Sequence, residues 1–171
     1  MKHRVRAAGL LINGENILLV LHRHPENGSE WWIPPGGGLI EEDDSIFQTA
    51  QREIFEETGL TAALSRICYI REFRETSTNI YHLEFFMPVD AYTGEITLDN
   101  IPKGDLDDGI IKAVKWLHRT ELGDLVVYPE WMVEEWFWQD ANAGFPQTKY
   151  TDVGVEETIS GVELPISRHR K

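Results

Sequence analysis

Short apolar runs broken by turn residues dominate the first part of the chain. Residues 4–12 (RVRAAGLLI) predict a strand, Asn13-Gly14 a turn, and Ile17 to Leu21 a second strand, so the two form a hairpin. From residue 46 the period changes. Phe47, Ala50 and Ile54 recur at helical spacing and predict a core-facing stripe. Asp44 or Ser45 is the expected N-cap, with acids in the first turn, and Gly59 the expected left-handed C-cap before Leu60 re-enters the core. Ala63 to Arg74 and Ile80 to Val89 read as strands on either side of turn residues 75–79. In the second of these, Tyr81, Leu83, Phe85 and Met87 alternate with His82 and Glu84, one apolar face against one polar face. Residues 110–117 predict a last strong strand and 129–139 a helix opened by Pro129. Beyond Ala141 the pattern weakens, with Val153 to Ile159 as a candidate edge strand and a basic RHRK end. No repeat or linker divides the chain, so 1–171 is expected to be a single domain with 141–171 as a weakly patterned extension.

Composition narrows the function. Of 171 residues 42% are hydrophobic and 26% charged, which suits a globular domain with a core. The net charge is −13, a poor match for gripping a nucleic acid polymer. A small phosphorylated ligand is compatible if a metal supplies positive charge. A single cysteine, Cys68, excludes an internal disulfide and a cysteine zinc site. No apolar run approaches membrane length and no signal-peptide pattern opens the chain, so a cytoplasmic protein with no membrane partner is the expectation.

The charge is concentrated where the chemistry is. Residues 38–60 (GLIEEDDSIFQTAQREIFEETGL) hold seven acids against the single arginine Arg52. Within them Glu53, Glu56 and Glu57 stand at relative positions 0, 3 and 4, one helical face, on an arc separate from the apolar stripe. Carboxylates so close repel or take up protons, and a hard divalent cation relieves the conflict. Pro34-Pro35-Gly36-Gly37-Gly38 just before the helix predicts a turn whose backbone can approach a ligand closely.

These residues resemble the Nudix box, G-x5-E-x7-R-E-U-x-E-E-x-G-U with U aliphatic. Gly38, Arg52-Glu53-Ile54, Glu56-Glu57 and Gly59-Leu60 match, and Asp44 replaces the first Glu. Chance gives the eight matching positions on the order of once in 10⁸ starts. The two leading strands, the basic residue after the second and the W-x-P-P-G-G approach are also similar to that family, as is the W-x-x-x-x-E-L arrangement at Trp116 to Leu122. The resemblance implies an α/β fold, a Nudix-like α/β/α sandwich with a mixed β-sheet between helices. It implies hydrolysis of a diphosphate linkage in a nucleoside diphosphate derivative, with Mg2+ or Mn2+. On that pattern Glu53, Glu56 and Glu57 are metal ligands, with a carbonyl of Gly37 or Gly38 completing coordination. The general base is Glu53 or an acid on a distant loop, for which the 99–109 stretch offers Asp105, Asp107 and Asp108. Gly38, Arg52 and Gly59 are structural positions, Arg52 orienting a glutamate by a bidentate pair.

Other candidates have blander readings beside them. Arg6 and Arg23 could meet a phosphate or base, or be surface charges. Glu84 could be an extra ligand, base or cleft wall, with His82 beside it, or part of a half-solvated sheet face. His22 and His24 could ligate metal, or be solvated imidazoles at a strand end. The aromatic face of Trp131, Met132, Trp136, Phe137 and Trp138 suits core packing or a homodimer interface, with nucleobase stacking as the functional alternative. Two other functions remain to be weighed: a non-catalytic nucleotide-binding module on the same fold, and an isopentenyl-diphosphate-isomerase-like enzyme, which needs an active-site cysteine. The position some fifteen residues past the box, where family subclasses carry Pro or Tyr, holds Glu75-Thr76-Ser77, so the substrate is left open.

Overall fold

The structure, a computed structural model, describes residues 1–76, 78–104, 107–159 and 162–164, with backbone alone for 152–159 and 162–164. Among the described residues eleven strands and two α-helices run β1 (Lys2–Leu10), β2 (Ile12–Asn13), β3 (Asn16–Arg23), β4 (Glu30–Ile33), β5 (Gly36–Gly38), α1 (Ile46–Thr58), β6 (Thr61–Leu64), β7 (Tyr69–Glu75), β8 (Ile80–Thr93), β9 (Ile111–His118), α2 (Glu135–Asn142), β10 (Lys149–Ile159) and β11 (Val162–Leu164). The larger sheet has seven strands in the order β11-β10-β7-β8-β1-β5, with β6 also on β8. It is mixed: β1 pairs parallel with β8 and antiparallel with β5, and β10 is parallel to β7. The smaller, four-stranded sheet carries β2, β4 and β9 around β3.

Alternation along the central strands assigns each face to a helix. Ala7 of β1 and Met87 of β8 pack with Ala50 under α1, joined by Ile46, Phe47 and Phe85. Their neighbours Ala8 and Phe86 face the other way, into the cluster of Tyr69, Met132, Phe137 and Trp138 around α2. The mixed sheet therefore lies between the two helices, the expected sandwich. Ile54 and Leu60 seal the second end of α1 against Leu11, Leu18 and Ala62.

Several local expectations change. The first strand does not form a long hairpin with the second. Ala7 to Leu10 are buried, Arg6 to Ala8 pair on both edges and β8 holds the strand to Leu10, so the chain leaves it at Leu11 and only Ile12–Asn13 turns back onto β3. The stretch 63–74 is two strands. From Leu64↔Val89 to Tyr69↔Phe86 it takes five residue steps against three on β8, and residues 65–68 bulge out. The 129–139 helix is a 3-10 turn, Glu130–Val133, followed by α2, with the Trp138 indole N–H donating to the Met132 carbonyl at 2.9 Å across the break. Phe137 and Trp138 are core, while Trp131 and Trp136 pack on Tyr69 and stay partly exposed. The candidate edge strand 153–159 belongs to β10, beside β7.

Candidate active site

The proline–glycine segment is strand as well as turn. Gly36–Gly38 pair with Ala8, Ala7 and Arg6 at the edge of the large sheet, which lays their backbone alongside α1. Ser45 caps that helix by accepting the Gln48 N–H at 3.2 Å, and the first turn holds no acid. Gly59 ends it in the left-handed conformation (φ 79°), its N–H on the Phe55 carbonyl. Glu53 and Glu57 are buried on the same side as Ala50 and Ile54, while Glu56 stays partly exposed. The separate arc expected for the three glutamates thus holds for Glu56 alone, because β5 roofs the helix at the other two. The Gly36 N–H donates to Glu57 Oε2 at 2.8 Å. A Cβ on Gly37 would fall inside the Glu53 carboxylate, so only glycine lets strand and acid come this close.

Arg52 ties the acids together. Its Nε and Nη2 donate to Asp43 Oδ1 and Oδ2 at 3.1 and 2.9 Å, and Nη2 also to the Gly38 carbonyl at 3.1 Å. Nη1 donates to Glu53 Oε1 at 2.9 Å and to Glu56 Oε2 at 3.0 Å. The five N–H groups of a guanidinium thus meet five acceptors. The bidentate partner is Asp43, not a glutamate, and each glutamate keeps its other oxygen free.

Burial sets the electrostatics. It pushes the Glu57 carboxyl well above its ordinary range, helped by the Glu53 charge and opposed by Arg6 and the Gly36 N–H. It also raises Glu53, against the pull of Arg52. By contrast, the hydrogen bonds from Arg52 hold Asp43 below the usual carboxylate range. Two buried acids that would otherwise take up protons are a donor set that fits a divalent cation. The third wall comes from His22 and Asp107, both among the candidates of the sequence. His22 is buried, not solvated, with its pKa lowered to about 4 by that burial, and it stacks on Trp31. Ligand atoms of His22, Glu57 and Asp107 lie within 4.8 Å of one another. A histidine closing an otherwise apolar strand was the signal available in the sequence. Asp105, another candidate on that loop, lies outside the described residues, as does Ser77.

The family profile described as NUDIX domain matches residues 2–137. The chain belongs to the NUDIX family. Nudix hydrolase 8 of Arabidopsis thaliana is 27% identical over 70% of this chain and 30% of its own length. The putative 8-oxo-dGTP diphosphatase 3 of Mycobacterium tuberculosis is 28% identical over 74% of this chain and 58% of its own length. The chain therefore spans well under two thirds of either relative. A MutT protein of Bacillus halodurans superposes with a TM-score of 0.61, covering 94% of each chain at 19% identity, a likeness of fold alone.

Against the Nudix pattern, the first acidic position behaves differently from its neighbour. Asp44 is exposed, and its main-chain N–H donates to Gln48 Oε1 at 2.8 Å. Asp43 takes the arginine. Arg6 is buried under β5, donating to the carbonyls of Gly36 (2.9 Å) and Pro34 (3.2 Å). Glu84 is buried too, accepting from Arg71 at 2.7 Å with Arg6 3.9 Å away. Burial raises its pKa, but the two guanidiniums outweigh that and hold it low. His82 stacks on Phe73 and meets Glu75 at 3.1 Å, so this sheet face is not half-solvated. Arg23 pairs with Glu30 on the surface, away from these contacts. His24 is partly buried and accepts loop N–H groups of Glu26 and Asn27. Cys68 donates to the Phe86 carbonyl and burial lifts its thiol to about 12, so it supplies no thiolate for isomerase chemistry.

Proposed function

We propose that this chain hydrolyses a diphosphate linkage in a nucleoside diphosphate derivative, by water attack at phosphorus, and needs Mg2+ or Mn2+ to do so. The observation that carries this reading is the convergence of buried Glu53 and Glu57 on the Gly36–Gly37 backbone. Glu53, Glu56 and Glu57 would hold the cation, with the Gly37 carbonyl beside them. A cation held there offsets phosphate charge and acidifies a bound water. Arg52 binds one oxygen of each of Glu53 and Glu56 and so orients both carboxylates. Glu53 is the base candidate on the helix, with a carboxyl inclined to accept a proton. Asp107 is the loop candidate.

The test is a panel of nucleoside triphosphates including 8-oxo-dGTP, sugar nucleotides, dinucleoside polyphosphates and coenzymes, incubated with Mg2+ or Mn2+. Release of phosphate, pyrophosphate or nucleoside monophosphate is the readout. Turnover that stops with chelator and falls on the order of 10³-fold in Glu57→Gln supports the reading, a loss equivalent to roughly 4 kcal/mol of transition-state stabilisation. Binding without product would make this a binding module instead.

A further inference from the structure

We propose that His22, Glu57 and Asp107 form a nitrogen-containing cation subsite, which gives this metal centre a preference for transition cations such as Mn2+, Co2+ or Zn2+ over Mg2+. This deepens the reading above and rests on it for the role of Glu57. The three residues come from three separate places: His22 from β3, Glu57 from the last turn of α1, and Asp107 from the loop before β9. Their ligand atoms already stand within 4.8 Å of one another. Donors on one cation with bonds of about 2.1 Å stand roughly 3–4 Å apart, so a contraction of about 1 Å brings all three into contact.

The imidazole is held as metal-binding histidines usually are. Nδ1 lies 3.4 Å from the Val20 carbonyl, and donation there leaves Nε2 as the nitrogen with a lone pair. Trp31 stacks on the ring at 5.6 Å between centroids and fixes its plane. The ring is also buried beside two carboxylates, so the group is more than a solvated acidic cluster. Imidazole is a weak partner for Mg2+, which prefers oxygen, and a good one for the later divalent metals. With one oxygen on the Gly36 N–H, Glu57 can use the other toward this subsite. Occupation would neutralise the repulsion between Glu57 and Asp107.

The experiment uses the full chain. Calorimetric titrations with Mg2+, Mn2+ and Co2+ are compared for the parent, His22→Asn and Asp107→Asn. The expected result is a loss of about tenfold or more in Mn2+ and Co2+ affinity for both variants, with Mg2+ affinity changed less than about twofold for His22→Asn. In the unmutated parent, Zn2+ should shift the Nε2 resonance of the His22 ring in long-range 1H–15N spectra, a readout that needs no variant to fold. Equal losses for Mg2+ and Mn2+, unchanged affinities, or a ring that ignores saturating Zn2+ would overturn the subsite. If Mg2+-dependent turnover survives those negative results, the hydrolase reading stands without it. If the ring responds to Zn2+ but no diphosphate is cleaved, the subsite stands and the hydrolase reading fails.

Discussion

Glu57 shows most sharply what the site demands of single residues. Its pKa is raised by burial and by Glu53, so the native state keeps this proton to higher pH than the unfolded chain does. Stability from this group is fully present below the unfolded carboxylate value and is lost as pH rises through the raised native one. Removing the charge should therefore help the metal-free protein. In chelator, Glu57→Gln is expected to gain melting temperature relative to the parent as pH rises from about 5 to about 8, read by calorimetry. Parallel curves would contradict the buried charge. Asp43 and Asp44 make a second pair of opposites. Asp43→Asn breaks the bidentate contact with Arg52 and should cost about 1.5–3 kcal/mol, with a fall in turnover. Asp44→Asn should stay within about 0.5 kcal/mol, because its exposed side chain makes none of these contacts. Denaturant midpoints of the two variants would decide which aspartate serves the arginine.

At the scale of elements, helix α1 is the part that local sequence specifies best. Its stripe, its Ser45 cap and its Gly59 end all follow from neighbours within four residues, and these are the features that the structure bears out. Ser45→Ala should cost about 1 kcal/mol and lower the melting temperature by roughly 2–4 °C, leaving turnover nearly unchanged. Gly59→Ala should cost more, because the residue sits at φ 79° and a Cβ would lie 2.6 Å from the Glu95 carbonyl. Strand β5 was not legible in the same way. Pro-Pro-Gly-Gly-Gly has no side-chain alternation, and its strand character comes only from pairing with Ala8, Ala7 and Arg6 some thirty positions away. The split of 63–74 and the short hairpin escaped for the same reason: pairing partners, not local periodicity, set those boundaries.

Across the whole molecule, a chain of net charge −13 gathers its buried acids where a sheet edge, a helix and a loop meet. A cation bound there stabilises the native state alone. At a concentration a hundred times its dissociation constant it should add about 2.7 kcal/mol, or roughly 5–10 °C in melting temperature, reversed by chelator and absent in Glu57→Gln. A melting point indifferent to both Mg2+ and Mn2+ would count against any metal at this site. The sequence alone determined the carboxylate helix, its caps and the family pattern, because a helical turn places residues three and four apart side by side whatever surrounds them. Only the tertiary structure decided that Asp43 rather than Asp44 binds Arg52, that Arg6 and Glu84 turn inward, and that His22 and Asp107 join Glu57. Those contacts link residues far apart in the chain, and sheet pairing and burial, which no local spacing encodes, bring them together.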